Sequence, residues 1–130
     1  MSAIIRFDRI SLYSSDRSDQ FESFVRERLF PTMTSAYRQL TRKTIASLGD
    51  QALLREGPDG AGDGAGYVWT SAWLGLPNAV KDKDFEGVFM GEKEDVKAVL
   101  RELEGFGRRE EPQVYQCLAG SLNLLPESPG

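Results

Sequence analysis

The segment that most constrains the fold is residues 67–74, Tyr-Val-Trp-Thr-Ser-Ala-Trp-Leu, which is dense in aromatic and β-branched residues. This composition predicts a β-strand, whose successive side chains point to opposite faces of a sheet. Both faces would then be largely apolar, with Tyr67, Trp69 and Trp73 on one and Val68, Thr70, Ala72 and Leu74 on the other. Because an exposed aromatic face favours aggregation, the sheet must be covered on both sides.

Two segments have the periodicity of amphipathic helices. Apolar side chains recur at three- and four-residue steps from Phe21 to Leu48, which predicts one long helix. Pro31 cannot donate a backbone hydrogen bond, so we expect a kink there, and Gly49 is the expected end of the helix. A second helix, ended by Gly105, is predicted by one apolar stripe: Val96, Val99, Leu100 and Leu103.

Three further segments have the composition of strands: residues 4–13, 51–56 and 112–120. The apolar alternation of the first slips at Asp8 and Arg9, which indicates a bulge. The glycine-rich residues 57–66 predict a hairpin loop before residues 67–74. Residues 84–90 fit either a short strand or a helical turn.

The order of these segments predicts a ferredoxin-like α+β domain. In this β-α-β-β-α-β arrangement an antiparallel sheet carries both helices on one face. A single domain over residues 1–120 accounts for every element, and we expect residues 121–130, which include two prolines, to fray. The other face of the sheet still needs a cover, and a two-fold homodimer supplies one.

Composition removes several classes of chemistry. The 130 residues include no histidine and one cysteine, which excludes Ser-His-Asp and Cys-His catalysis, histidine-ligated metals and an intrachain disulfide. We expect no metal site. The net charge of -4 argues against a nucleic-acid partner. There is no signal-peptide pattern and no apolar run near the roughly 20 residues that span a bilayer, so we expect no membrane partner and a cytoplasmic location.

Charged residues inside the first predicted strand are candidates for a catalytic site. Arg6, Asp8 and Arg9 stand where apolar residues are expected. A buried charge must be paired, and such a pair in a cavity could stabilise an oxyanion or an enolate. The alternative is an edge or a bulge at which these side chains reach solvent. The basic pair Arg108 and Arg109 is interpreted as part of a solvated face or of a helix end.

Aromatic residues of the third strand are candidates for binding a substrate. Tyr67, Trp69 and Trp73 could line a pocket that stacks a flat aromatic molecule, the alternative being packing in the core or in a dimer interface. Asn78, shortly after this strand, could hydrogen-bond a ligand carbonyl, although Pro77 and Asn78 are also an ordinary turn pair.

From residue 4 to residue 120, the element order, the hairpin and the tryptophan-bearing strand resemble the dimeric α+β barrel superfamily. This superfamily includes antibiotic-biosynthesis monooxygenases, cyclases and haem-degrading proteins. The resemblance implies a homodimer with two sheets packed face to face, and a pocket in each protomer between sheet and helices. Since the chain lacks histidine, it departs from the haem-degrading and histidine-dependent branches.

Two functions are compatible with this resemblance. The first is a cofactor-independent monooxygenase or cyclase that acts on an aromatic substrate. There Arg6 or Arg9 would stabilise negative charge, and either Asp8 would accept the proton or the substrate enolate would itself react with oxygen. The second is a non-catalytic dimeric module whose aromatic sheet face is buried in the dimer interface. In both cases we expect no cofactor.

Overall fold

A computed structural model of the chain describes residues 2–37, 46–56, 66–75 and 94–120. Its elements, in chain order, are β1 (Ser2–Leu12), α1 (Ser18–Phe24), α2 (Phe30–Tyr37), β2 (Ala46–Arg55), β3 (Gly66–Gly75), α3 (Glu94–Phe106), β4 (Gly107–Arg109) and β5 (Gln113–Gln116). A 3-10 turn, Ser15–Arg17, leads into α1, and a π-helical turn, Val25–Leu29, joins α1 to α2.

The strands form one antiparallel sheet in the order β2-β3-β1, with β4 and β5 both paired to the free edge of β1. The two central strands, β1 and β3, pair without interruption from Ser2 opposite Gly75 to Ser11 opposite Gly66. This is the predicted ferredoxin-like arrangement, and the α+β fold class is confirmed. Its consequence for a site is that residues of β1 and β3 lie side by side in the middle of the sheet.

The bulge predicted at Asp8 and Arg9 is wrong, since β1 stays in register with β3 there. The register shift of the hairpin lies in β2 instead, between Leu48 and Gln51. From Arg6 to Leu12 the burial of β1 alternates, with Arg6 and Asp8 buried on the same side as Ile10. The apparent slip in the sequence therefore reflects charged residues in core positions and not an irregular backbone.

The predicted long helix ends too late, because β2 begins at Ala46 and contains both Leu48 and Gly49. Leu48 pairs with Trp73 in the sheet, so its helical spacing from earlier apolar residues is coincidental. The expected interruption at Pro31 takes the form of the π-helical turn. A proline ring clashes with the carbonyl four residues earlier, here that of Glu27, and the wider π turn accommodates it.

The C-terminal part also differs from expectation. Helix α3 continues to Phe106, so Gly105 lies inside it and does not end it. Pairing with β1 begins at once in β4, which the sequence did not predict, and of the predicted strand over residues 112–120 Gln113–Gln116 forms a strand, β5. A Cβ atom on Gly107 would collide with the backbone carbonyl oxygen of Ser11. Glycine therefore permits the close approach with which β4 joins the sheet.

The helices cover one face of the sheet, which we call the inner face. The core on this face combines side chains of both central strands with the apolar sides of the helices: Ile4, Ile10, Leu12, Tyr67, Trp69 and Trp73 from the sheet, and Phe21, Phe24, Val25, Leu29, Met33, Tyr37, Val96, Val99, Leu100 and Leu103 from the helical segments. The three aromatic residues of β3 are thus buried within the protomer. The suggestion that they form a dimer interface is therefore wrong.

The opposite, outer face carries apolar side chains without such a cover among the described residues. Leu54, Leu74 and Tyr115 are 51 to 55% exposed there, as their register positions opposite Val68, Ser47 and Ile5 require. None of the helices within these ranges is long and apolar enough to cross a membrane. Residues 84–90 and the expected fraying of residues 121–130 lie outside the described residues, and the single domain over residues 1–120 stays a prediction.

Candidate functional site

A row of polar side chains crosses the otherwise apolar inner face. Gln51 of β2 pairs with Ser71 of β3, which in turn pairs with Arg6 of β1. Residues directly opposite each other in antiparallel strands share a face, so these three side chains lie next to one another. All three are buried. We call Gln51, Ser71 and Arg6 the polar row.

Arg6 is held by a buried carboxylate two residues along the same strand. Its Nε donates to Oδ2 of Asp8 at 3.0 Å and its Nη2 to Oδ1 at 3.2 Å, and both side chains are 0% exposed. A two-pronged contact of this kind is the strong form of a charge-assisted hydrogen bond. The structure brings these two predicted residues together and leaves neither at a solvent-exposed edge.

Arg9 is not part of this cluster. It points to the outer face, is 52% exposed, and binds Glu56 through Nε and through Nη2, the latter at 2.9 Å. Glu110 lies 3.7 Å away on the neighbouring segment. The hydrogen bond to Glu56, reinforced by the charges of both carboxylates, raises the pKa of Arg9. Its contacts are those of a surface ion pair, which contributes little to stability.

Arg109 joins the cluster although the sequence analysis placed it in solvent. Its side chain is 9% exposed, and its Nη1 lies 3.4 Å from Oδ1 of Asp8. Because Arg109 pairs with Ile10, it shares the inner face, whereas its neighbour Arg108 is exposed. An alternating strand that begins at Gly107 would have predicted this difference. Because the predicted strand begins at residue 112, the sequence did not indicate that Arg108 and Arg109 alternate.

Both tryptophans donate their indole N–H to side chains of the polar row. Trp73 Nε1 donates to Ser71 Oγ at 3.0 Å, and Trp69 Nε1 donates to Gln51 Oε1 at 3.2 Å. The amide nitrogen of Gln51 donates to Thr34 Oγ1 at 3.1 Å and to a backbone carbonyl of α2 at 3.3 Å. Gln51 therefore connects Trp69 to the covering helix. The sequence analysis missed Gln51 and Ser71, whose polar character at buried strand positions was the available signal.

Tyr67 lies near one end of β3, and its hydroxyl has a partner of its own. It donates to Oε2 of Glu22 on α1 at 2.6 Å, and Arg55 binds the same carboxylate oxygen. The hydrogen bond from Tyr67 lowers the pKa of Glu22; burial opposes this effect and Arg55 adds to it. The ring packs 5.0 Å from that of Phe21. The hydrogen bond of Tyr67 thus links α1 to the sheet. Along β3, Tyr67 lies four residues before Ser71 of the polar row.

Asn78 lies outside the described residues. Within the ranges that are described, no three His, Cys, Asp or Glu side chains are grouped so that they could hold a metal ion.

A surface cleft of about 720 Å³ lies elsewhere, between α1 and the end of α3. Polar and charged residues surround the rings of two phenylalanines in this cleft, and their side-chain stems and these rings make most of its surface apolar: Arg17, Asp19, Gln20, Ser23, Phe24, Glu27, Arg28, Glu102, Gly105 and Phe106. The guanidinium of Arg17 lies 4.3 Å from the centre of the Phe106 ring. None of the candidate site residues that the structure describes lines this cleft, which belongs to the helical side of the domain.

No family model matches the sequence, and no curated protein matches it. Solved structures do share its fold. HapK from Hahella chejuensis superposes with a TM-score of 0.56 at 15% identity, over 95% of this chain and 98% of that one. A Bordetella bronchiseptica protein named "putative antibiotic biosynthesis monooxygenase" gives 0.54 at 16% identity, over 93% of this chain and 100% of that one.

A third similar structure is a dimeric ferredoxin-like protein from an uncultured marine organism. It gives a TM-score of 0.53 at 9% identity and covers 95% of this chain and 94% of its own. Together these likenesses show that the chain has a ferredoxin-like fold. At such identities they show the fold alone, since one fold hosts many functions.

Proposed function

We propose that this chain binds a flat aromatic small molecule on its inner face and acts on it as a cofactor-independent monooxygenase or cyclase. The observation that carries the proposal is the fully buried ion pair between Arg6 of the polar row and its neighbour Asp8. A buried ion pair is often no more stabilising than apolar side chains of the same volume. Its presence between two tryptophans is better explained by a ligand that needs a cation there.

In this proposal the tryptophans and the arginine have separate roles. Trp69 and Trp73 would supply flat surfaces for an aromatic ligand. Loss of a proton from a phenol or enol leaves negative charge on the ligand oxygen, and the guanidinium of Arg6 would stabilise that charge in a site that excludes water. Asn78 remains a proposed contact for a ligand carbonyl.

We also propose that the protein is a homodimer joined through the outer face. The exposed apolar side chains there, Leu54, Leu74 and Tyr115, are the described surface that a second sheet would cover. The similar marine protein is named as dimeric, which supports this proposal. The cytoplasmic location and the lack of nucleic-acid partners stay predictions.

The binding proposal is tested by thermal unfolding with and without a hydroxynaphthoquinone, an aromatic compound with an acidic hydroxyl. Ligand that binds only the folded protein raises the melting temperature. We expect a concentration-dependent rise for the wild type that is lost in Arg6→Gln. Arg9→Gln is the matched control, because it removes the same side chain from the opposite face of the same strand, and it should keep the rise.

A second candidate, the non-catalytic dimeric module, is favoured by the close packing of the site. Arg6, Trp69 and Trp73 are each at most 2% exposed, and the cleft between α1 and α3 does not include them. This candidate predicts no change in melting temperature with the hydroxynaphthoquinone. A rise of equal size in the wild type and in Arg6→Gln would also contradict binding at the polar row.

A further inference from the structure

The contacts of Asp8 do not suit the role of a proton acceptor. Oδ2 accepts a hydrogen bond from Arg6 at 3.0 Å and Oδ1 accepts one at 3.2 Å. Oδ1 also faces Nη1 of Arg109 at 3.4 Å. A general base must present an oxygen to the proton that it removes from the substrate. Binding a proton on either oxygen of Asp8 would weaken a contact with a guanidinium group.

Arg109 connects this carboxylate to a second element. Its Nη1 faces Asp8, and its Nη2 lies 3.9 Å from Oε1 of Glu104 on α3. The side chains become progressively more buried along this path: Glu104 is 52% exposed, Arg109 9% and Asp8 0%. Asp8 in turn binds Arg6. Residues of β4 and α3 therefore both help to hold the guanidinium of Arg6 in position.

We infer that Asp8 and Arg109 are positioning residues, which hold the guanidinium of Arg6 toward the oxygen anion of the ligand. The inference rests on the proposed function, in which Arg6 contacts that anion. It assigns Arg109 a role that the sequence analysis did not foresee, and it replaces the role of Asp8 as base. Arg109 acts through Asp8 and makes no contact with the ligand itself.

The test compares two probes that differ in one group, the hydroxynaphthoquinone and its methyl ether. Only the first can present an anionic oxygen to Arg6, so the ratio of the two dissociation constants measures how well Arg6 is placed. A charge-assisted hydrogen bond is worth about tenfold in affinity. We expect Arg109→Gln to weaken binding of the hydroxy compound by about tenfold and to change binding of the ether by less than about twofold.

Two further variants make the result specific. Arg108→Gln removes the neighbouring, exposed arginine of β4 and should leave both dissociation constants unchanged. Arg109→Lys keeps a cation near Asp8 and should give an intermediate ratio, and it remains informative if Arg109→Gln does not fold. Folding of each variant is checked by circular dichroism.

The possible outcomes separate this inference from the proposed function. If the wild type binds neither probe, the proposed function fails and the inference with it. If the wild type prefers the hydroxy compound and Arg109→Gln keeps that preference, the proposed function stands and the inference is wrong. Equal weakening of both probes in Arg109→Gln would show general damage to the site and would likewise overturn the positioning role.

Discussion

At the scale of single residues, the two charged side chains in the middle of β1 carry the largest energetic consequences. Arg6 and Asp8 are fully buried, and each depends on its partner for the hydrogen bonds that water would otherwise supply. Removing one member of such a pair leaves an uncompensated buried charge, which costs far more than the pair contributes.

We therefore predict that Asp8→Ala lowers the free energy of unfolding by about 3 to 5 kcal/mol, since it removes the buried carboxylate that both Arg6 and Arg109 contact. Urea unfolding measures the loss. Asp16→Ala, at an exposed position of the 3-10 turn, is the control and should change stability by less than about 0.5 kcal/mol. A loss of similar size in both variants would contradict a structural role of the buried pair.

Glu22 gives a prediction about pH. Its pKa in the folded protein lies below the ordinary value of 4.5, chiefly because Tyr67 donates a hydrogen bond to the charged form. A lowered folded-state pKa contributes stability above the unfolded-state value, and this contribution disappears as the pH falls through the folded-state value. The wild type should therefore lose stability below about pH 4.5 faster than Glu22→Gln does.

Tyr67→Phe tests whether the hydrogen bond from Tyr67 causes the acid dependence predicted for Glu22. It removes the hydrogen bond and keeps the ring, so the acid-dependent difference between the wild type and this variant should run in the same direction as for Glu22→Gln. Urea unfolding at a series of acidic pH values measures both. An unchanged acid dependence in Tyr67→Phe would show that Arg55 and Arg26 stabilise the carboxylate without the hydrogen bond from Tyr67.

At the scale of secondary-structure elements, two glycines two residues apart have opposite roles. A Cβ on Gly105 would meet nothing within 4 Å, whereas a Cβ on Gly107 would collide with the backbone of β1. Gly105→Ala should raise stability by about 0.5 to 1 kcal/mol, because alanine favours the helix. Gly107→Ala should lower stability, because β4 must move away from β1. Thermal unfolding of the two variants tests this difference in sign.

The elements also show what the sequence could predict. The strand of residues 67–74 and the stripe of α3 were recovered because their periodicity and composition agree. The end of the long helix was misplaced because Leu48 fits a helical step while its pairing partner, Trp73, lies far along the chain. Arg109 was missed for the same reason. Its burial depends on a long-range pairing with Ile10 that a local pattern does not contain.

The candidate site was predicted in part. The placement of Arg6 and Asp8 follows from the alternation of β1, since both are two-residue steps from Ile4 and Ile10. By the same alternation Arg9 lies on the outer face and not in the buried cluster. The bulge predicted at Asp8 and Arg9 had left its face open. Ser71 shares the alternation of Trp69 and Trp73, so its polar character on that face was a signal in the sequence. That the Gln51 amide lies beside it depends on a long-range pairing of β2 with β3.

At the scale of the whole molecule, the proposed homodimer can be tested on the outer face. We predict that Leu74→Lys weakens the homodimer by at least about tenfold, because it places a charge in an apolar interface. Sedimentation analysis over a range of concentrations measures the dissociation constant. Tyr13→Lys replaces an exposed aromatic residue just beyond β1 and should leave association unchanged. A monomeric wild type, or equal effects of both variants, would contradict this interface.

The double hydrogen bonding of Gln51 has a consequence for the speed of any reaction on the inner face. Its amide holds Trp69 on one side and α2 on the other, so a molecule that approaches the polar row from this side must displace that helix from β2. Such opening occurs at a rate set by the protein. The observed association rate would therefore stop rising with ligand concentration and level off at the opening rate. Gln51→Ala, which frees α2, would raise that plateau.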